Sequence, residues 1–283
     1  MLSSSARRAA AALAASAALA AAIASPAAAA PRTVDVVNLG DSYSAAFGTG
    51  GVAPVSGLPD CYQGGGEDHV AKIDGRQRMN LLLNAACAGA TTDDVQAIAA
   101  APAVTAALGQ AELVTMTLGG NDIGWGDYVG ACSIPGETTM PGACDALLAQ
   151  APARIEAAAA SAGETVAAVD AATDGEIVVL GYPRLFDGGQ DTALLSADRV
   201  AQLNLWTDAL NAALAEAAEA NGAEFVDVSS RFAGHGADSA DPWLYLNPAD
   251  PRDWENLHPT EEGYLSGYYP ALMSAISPGQ LGR

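Results

Sequence analysis

Apolar and β-branched residues in this chain fall in short runs that stop at glycine. Val34 to Leu39 ends at Gly40, Glu112 to Leu118 at Gly119-Gly120, and Glu176 to Leu180 at Gly181. Runs of this length with this ending predict buried strands. Glu224 to Val228 reads the same way, and Leu81-Leu82-Leu83 is a shorter run of the same kind. Between the runs the period changes to three and four. Leu203, Trp206, Leu210 and Leu214 mark one helix face between Ser196 and the stop at Asn221-Gly222. Ile155, Val166 and Val169 lie in an Ala-rich helical stretch that ends near Gly175. Thr91-Thr92-Asp93-Asp94 supplies a cap and early negative charge for a helix through Val95. Pro259-Thr260-Glu261-Glu262 opens a last helix towards Ile276, with a kink or break expected at Pro270.

Strands alternating with helices predict an α/β domain with a central parallel sheet. Ligands of such sheets bind beyond the carboxyl ends of the strands. The glycine stops are therefore where chemistry is to be sought. Gly64-Gly65-Gly66 reads as a loop within one domain, not as a boundary.

The amino terminus does not follow this pattern. Arg7-Arg8, an Ala/Leu/Ile stretch from Ala9 to Ala24, then Ser25-Pro26 and four alanines predict a secretory leader over residues 1–30, cleaved near Ala29 or Ala30. The paired arginines leave general and twin-arginine export both open. No later stretch reaches the ~18 apolar residues of a membrane span. The leader holds two of the 12 basic residues and none of the 33 acidic ones. What remains has 10 basic against 33 acidic side chains, a net charge of −23. That balance argues against a nucleic-acid partner and against electrostatic binding to anionic membranes. Stable membrane insertion is not expected, and the chain is expected to be a monomer.

An exported chain with four cysteines, Cys61, Cys87, Cys132 and Cys144, points to two disulfides. Three pairings are possible, and the local one closes the shortest loops. Close ligand pairs of the Cys-x2-Cys kind are absent, so a cysteine zinc site is not expected.

Four segments carry candidate chemistry. Gly40-Asp41-Ser42-Tyr43-Ser44 places a serine just after a buried strand, where a following helix would offer free N–H groups to an anion. Alone it reads equally as a helix cap. In Asn84 to Thr91, Gly89 would let a main-chain N–H approach a ligand; alone it is a turn. In Gly119-Gly120-Asn121-Asp122 the Asn121 amide could donate to developing negative charge. In Trp254 to Thr260, His258 is one of three histidines in the chain, and a serine nucleophile requires a base.

Taken together and in this order, these segments resemble the four blocks of the SGNH/GDSL hydrolase family. The family's letters fall on Ser42, Gly89, Asn121 and His258. The export signal, the cysteines and Tyr182-Pro183-Arg184-Leu185-Phe186 resemble the secreted actinobacterial lipases and esterases of that family. The resemblance implies a three-layer α/β/α fold of flavodoxin-like type over residues 31–283. It implies hydrolysis of lipid or short acyl esters through an acyl-enzyme, with no metal or organic cofactor. Ser42 would be the nucleophile and His258 its base. The Ser42 and Gly89 N–H groups and the Asn121 amide would form the oxyanion hole. Cys87 lies two residues before Gly89 and Cys132 soon after Asn121, which agrees with the pairing Cys61–Cys87 and Cys132–Cys144. The Gly-x-Ser-x-Gly elbow of the α/β-hydrolases is absent.

One position departs from the family. Where most members carry Asp three residues before the His, this chain has Glu255. Its side chain could orient His258, a main-chain carbonyl near Trp254 or Glu255 could do so instead, or Glu255 could be a solvated charge. Asp253 is off the expected spacing. Trp125, Tyr128, Trp243, Tyr245 and Trp254 cluster near the blocks and could line an acyl pocket or simply pack the core. The competing functions are a carbohydrate-ester deacetylase and a secreted binding protein that has lost the chemistry.

Overall fold

The computed structural model describes residues 33–247, 249–250 and 253–276. The expected leader lies outside the described residues. Five parallel strands form the central sheet: β1 (Val34–Gly40), β4 (Met79–Asn84), β5 (Leu113–Thr117), β6 (Glu176–Leu180) and β7 (Glu224–Val226). Their spatial order is β4-β1-β5-β6-β7. The winding reverses beside β1, which puts the switch point of the sheet between β1 and β5. Two-residue strands β2 (Ala53–Pro54) and β3 (Tyr62–Gln63) pair separately in the loop after β1.

The central strands are apolar throughout because both faces are covered. Val36, Val37, Leu39, Leu113, Val114 and Met116 are all fully buried. On one face α7 (Ala151–Asp170) packs between α2 (Thr92–Ala99) and α8 (Ala197–Ala220). Its Ile155, Val166 and Val169 are buried, as are Leu203, Leu210 and Leu214 of α8. On the other face α1 (His69–Asp74) packs against the carboxyl-terminal helix. The three-layer α/β/α arrangement is therefore present, with α3 (Pro102–Leu108) leading into β5.

Local capping follows the sequence. Thr91 accepts from the Asp94 N–H, and the Asp94 carboxylate accepts from the Thr91 N–H, a reciprocal box at the start of α2. For the final helix the sequence predicts a kink or break at Pro270. Pro270 does not break it; α9 (Tyr269–Ala275) continues directly from a π-helical stretch over Gly263–Tyr268. A proline ring clashes with the carbonyl four residues back. The wider π turn just before Pro270 is one way to relieve that clash without ending the helix.

Three short helices that the pattern did not reveal stand between β5 and α7: α4 (Trp125–Cys132), α5 (Ile134–Thr139) and α6 (Ala143–Leu148). Gly126, Gly130, Pro135, Gly136, Pro141 and Gly142 interrupt any regular period there. The disulfide Cys132–Cys144 joins α4 to α6, and Cys61–Cys87 joins the β3 loop to the segment after β4.

His69 is wholly buried, stacked on Tyr264 with ring centroids 5.5 Å apart, and among the described residues neither ring nitrogen has a partner. Desolvation pushes its pKa down to about 3. The unfolded chain therefore takes up this proton first, and the stability present above pH 6.5 is lost as pH falls towards 3. Neighbouring Asp68, raised by burial to about 6, acts in the opposite sense between pH 6 and 3.8. A His69→Phe variant isolates the first effect. Urea denaturation should find it gaining on the parent by up to about 1.4 kcal/mol per pH unit below pH 6.5. Parallel stability curves would show that His69 remains protonatable in the fold.

Candidate active site

β1 delivers Ser42 to the carboxyl edge of the sheet. Gly40 turns the chain with φ +113°, and a Cβ there would lie 2.4 Å from the Thr117 carbonyl oxygen. Only glycine lets β1 close so tightly on β5 at this point. No helix follows Ser42. The Ala45 and Phe47 N–H groups donate back to the Ser42 carbonyl, which folds residues 41–47 into compact turns.

Beneath the serine lies a polar network that the motif alone did not reveal. The Asp41 carboxylate is buried and accepts from the Tyr43 N–H at 3.0 Å, the Thr117 hydroxyl at 2.6 Å and the Tyr182 hydroxyl. Desolvation raises its pKa against these hydrogen bonds. The Tyr182 hydroxyl also accepts from the Gly120 N–H at 3.0 Å. Asn211 of α8 holds the Tyr182 main chain by accepting from its N–H (2.9 Å) and donating to its carbonyl (2.8 Å). Ser44 accepts from the Thr117 N–H at 2.9 Å. Asn38 donates to the Ser44 carbonyl and to the Asn84 side chain. The ends of β1, β4, β5 and β6 are thus cross-tied directly under Ser42.

The other segments are fastened to this frame. The Cys87 N–H donates to the Gly40 carbonyl at 2.9 Å, which places the Gly89 turn beside β1. Gly89 has φ +80°, a conformation that favours glycine. Asn121 donates through Nδ2 to the Ala90 carbonyl at 2.9 Å, and that nitrogen has a second hydrogen to offer. Asp122 accepts from the Thr92 N–H and hydroxyl at the start of α2. Among the described residues, the Ser42 and Gly89 N–H groups have no protein acceptor.

His258 arrives from a loop braced against residues 243–245. The Tyr245 N–H donates to the His258 carbonyl, the Leu257 N–H to the Tyr245 carbonyl and the Thr260 N–H to the Trp243 carbonyl. Leu257 is left-handed, φ +64°, a strained setting for leucine, and its carbonyl accepts from the Tyr43 hydroxyl at 2.5 Å. His258 Nε2 lies 2.8 Å from Ser42 Oγ, and Nδ1 lies 3.2 Å from the Glu255 main-chain carbonyl. A carbonyl can only accept, so Nδ1 carries the proton and the lone pair of Nε2 faces the serine. Desolvation pushes the imidazole down to about 4, with the carbonyls of Glu255 and Asn256 opposing it.

The Glu255 side chain does something else. Its Oε1 accepts from the Gly50 N–H at 2.8 Å and so ties the histidine loop to the loop after β1. Among the described residues its carboxylate makes no hydrogen bond to His258, and the main-chain carbonyl is the Glu255 group beside the imidazole. Asp253 accepts from the Glu255 N–H at 3.1 Å and the Tyr245 hydroxyl at 3.0 Å, so it shapes the loop.

Ser42, Asn121 and His258 line one cavity of about 840 Å³, with Gly89 one residue from the carbonyl that holds Asn121. Trp125 and Trp254 line it too. Tyr128 is buried in the core, Trp243 stacks on His235 at 3.7 Å, and neither it nor Tyr245 reaches the cavity. Among the described residues, no group of three or more His, Cys, Asp or Glu is placed to hold a metal ion.

The family model described as GDSL-like lipase/acylhydrolase matches residues 39–265. The chain belongs to this family. As a member it is a carboxylic ester hydrolase. A lipase of Streptomyces rimosus is 37% identical over 252 residues, covering 87% of this chain and 89% of the relative. The crystal structure of an extracellular lipase from Streptomyces rimosus superposes with a TM-score of 0.74 at 33% identity, over 86% of this chain and 100% of that one. A phospholipase A1 from Streptomyces albidoflavus gives the same TM-score at 30% identity, again over 86% and 100%.

The network under this hydrolase's serine can be tested through Tyr182. Tyr182→Phe removes one donor from a buried carboxylate and leaves the Gly120 N–H unpaired. Losses for groups stranded in this way run to about 1–3 kcal/mol each. Denaturant unfolding should register a loss of that size, and kcat should fall more than KM rises. A stability change below about 0.5 kcal/mol, the range of ordinary surface substitutions, would mean the network does not brace the site.

Proposed function

We propose that the protein is a secreted esterase or lipase that cleaves fatty acyl esters through a covalent acyl-enzyme. The observation that carries this reading is the 2.8 Å contact between Ser42 Oγ and His258 Nε2, both lining a large, mainly apolar cavity. As the Ser42 oxygen attacks the ester carbonyl carbon, His258 Nε2 takes the hydroxyl proton. The carbonyl oxygen becomes an oxyanion and accepts from the Ser42 and Gly89 N–H groups and the free hydrogen of Asn121 Nδ2. Collapse of this intermediate breaks the bond to the alcohol oxygen, and His258 returns its proton to the leaving alcohol. Water repeats the sequence on the acyl-enzyme and releases the acid.

The Glu255 carbonyl fixes the imidazole plane and favours the cation that forms transiently, which makes this a dyad with a main-chain orienter. The cavity volume lies in the range of about 300–1,000 Å³ typical of sites that enclose whole ligands, far beyond what an acetyl group fills. Its mainly apolar lining favours a fatty acyl group over an acetylated sugar, whose hydroxyls would need polar partners. The Streptomyces relatives are named lipase and phospholipase A1, and the amino-terminal leader pattern supports export over residues 1–30 ahead of a single domain at 31–283.

A fluorophosphonate probe should label Ser42 and fail on Ser42→Ala, which should lose turnover of p-nitrophenyl esters. Labelling elsewhere with full turnover in Ser42→Ala would end the catalytic reading. Asn121→Ala should lower kcat by about 10²–10³. Glu255→Gln should cost far less than His258→Ala, because the carbonyl is untouched; equal losses would return the orienting role to the carboxylate. The reaction needs neutral imidazole, so kcat/KM is retained at pH above the His258 pKa and lost below it. Its acid limb should fall below the usual 6.5, towards about 4. A limb at or above 6.5 would contradict the desolvated, carbonyl-bonded ring.

A further inference from the structure

The walls of the acyl cavity do not have equal support. Tyr182 and Leu210 come from the segment after β6 and from α8, both braced by the sheet frame. Also lining the cavity, Trp125 and Val129 come from α4, Pro135 from α5 and Ser133 from the junction between them. These helices are eight and six residues long, below the ~12 residues at which an isolated helix becomes even marginal. The sequence of α5, Ile-Pro-Gly-Glu-Thr-Thr, adds poor intrinsic propensity. This wall must be held by groups outside itself.

Besides Arg154 of α7, whose guanidinium lies 5.8 Å from the centre of the Tyr128 ring of α4, three attachments are visible among the described residues. The disulfide Cys132–Cys144 staples α4 to α6. The Ile134 N–H donates to the Leu194 carbonyl at 2.8 Å, and Leu194 itself lines the cavity. The third is Arg199, in the first turn of α8. Its Nε and Nη2 both reach Glu137 Oε1 of α5, at 2.7 and 2.6 Å. Nη2 also lies 2.8 Å from Asp145 of α6, and Nη1 donates to Gln202 on α8 itself. The Arg199 side chain is only 17% exposed. An isolated surface ion pair contributes little. Here one largely enclosed guanidinium holds two short helices against a long one whose position is set by the sheet.

We infer that Arg199 is a positioning residue for the acyl cavity: by clamping Glu137 and Asp145 it fixes the α4–α5 wall and so sets how well long acyl chains bind. It touches no reacting atom. The short acyl end of a substrate sits at Ser42, on the frame, and does not depend on the clamp. This inference rests on the cavity being the acyl site of the proposed esterase.

The test is a series of p-nitrophenyl esters from acetate to palmitate, run on the full chain and on Arg199→Ala. For long esters kcat/KM should fall about tenfold or more, the scale of losing methylene-sized contacts in an apolar pocket. The loss should appear as raised KM, with the acetate and butyrate values held within about twofold. Arg199→Lys keeps the charge without the fork and should fall between. Glu137→Gln with Asp145→Asn removes the clamp from the other side and should reproduce the shift. If Arg199→Ala does not fold, as judged by thermal melting and fluorophosphonate labelling, the Glu137/Asp145 variant decides. Parallel losses on short and long esters, or an unchanged ratio, would overturn the clamp. A parent enzyme that turns over acetate far better than laurate would instead overturn the acyl reading of the cavity.

Discussion

A carboxylate with almost no access to water sits at the end of β1, and the site is built around satisfying it. Asp41 would be intolerable in the sheet's interior without donors, because a buried unpaired charge costs several kcal/mol. Its donors come from three directions: the turn that carries Ser42, the last residue of β5, and a tyrosine beyond β6. Meeting that demand fixes the relative positions of strands far apart in sequence. The same tyrosine accepts from the Gly120 N–H, so the Asn121 turn is set by a group that donates to Asp41. Ser42 and the Asn121 turn therefore share one brace.

The parts of the structure legible in the sequence are those with a short-range period. Val34 to Leu39 and Glu176 to Leu180 are strands because both sheet faces are covered and every position is apolar. The Thr91 box appears as a local spacing and forms as one. Ser42, Asn121 and His258 could be picked out because glycine stops and a scarce residue type marked them, and the fold brings these three to one cavity. What the sequence concealed was long-range. Asp41 looks like an ordinary acidic neighbour until Tyr182, 141 positions away, is seen to donate to it. The α4–α6 segment carries too many glycines and prolines for a helical period to show, since its helices are held by a disulfide and by Arg199. Pro270 suggested a kink or break, and the π turn before it carries the helix through without a break.

Glu255 illustrates how one position can be read correctly for its place and still do different work. The residue three before the histidine does contact the imidazole, at 3.2 Å, through an atom that every amino acid possesses. The carboxylate is thereby released for the loop after β1, where glycines at 48, 50 and 51 take positive φ and leave the chain little stiffness of its own. One residue thus serves both the imidazole and the loop that borders it.

A main-chain carbonyl behind His258 also alters what the site can sense. A carboxylate in that place would titrate, and its ionisation would be coupled to that of the imidazole, so that protons would leave the pair in two shared steps. An amide carbonyl has no proton to gain in the physiological range. Its dipole is constant, and the imidazole ionises alone against a fixed field. The protonation of the working pair reduces to a single equilibrium, governed by how dry the ring is kept by Phe47, Tyr43 and whatever acyl chain fills the cavity. Substrate binding, by drying the ring further, would then adjust the base that acts on it.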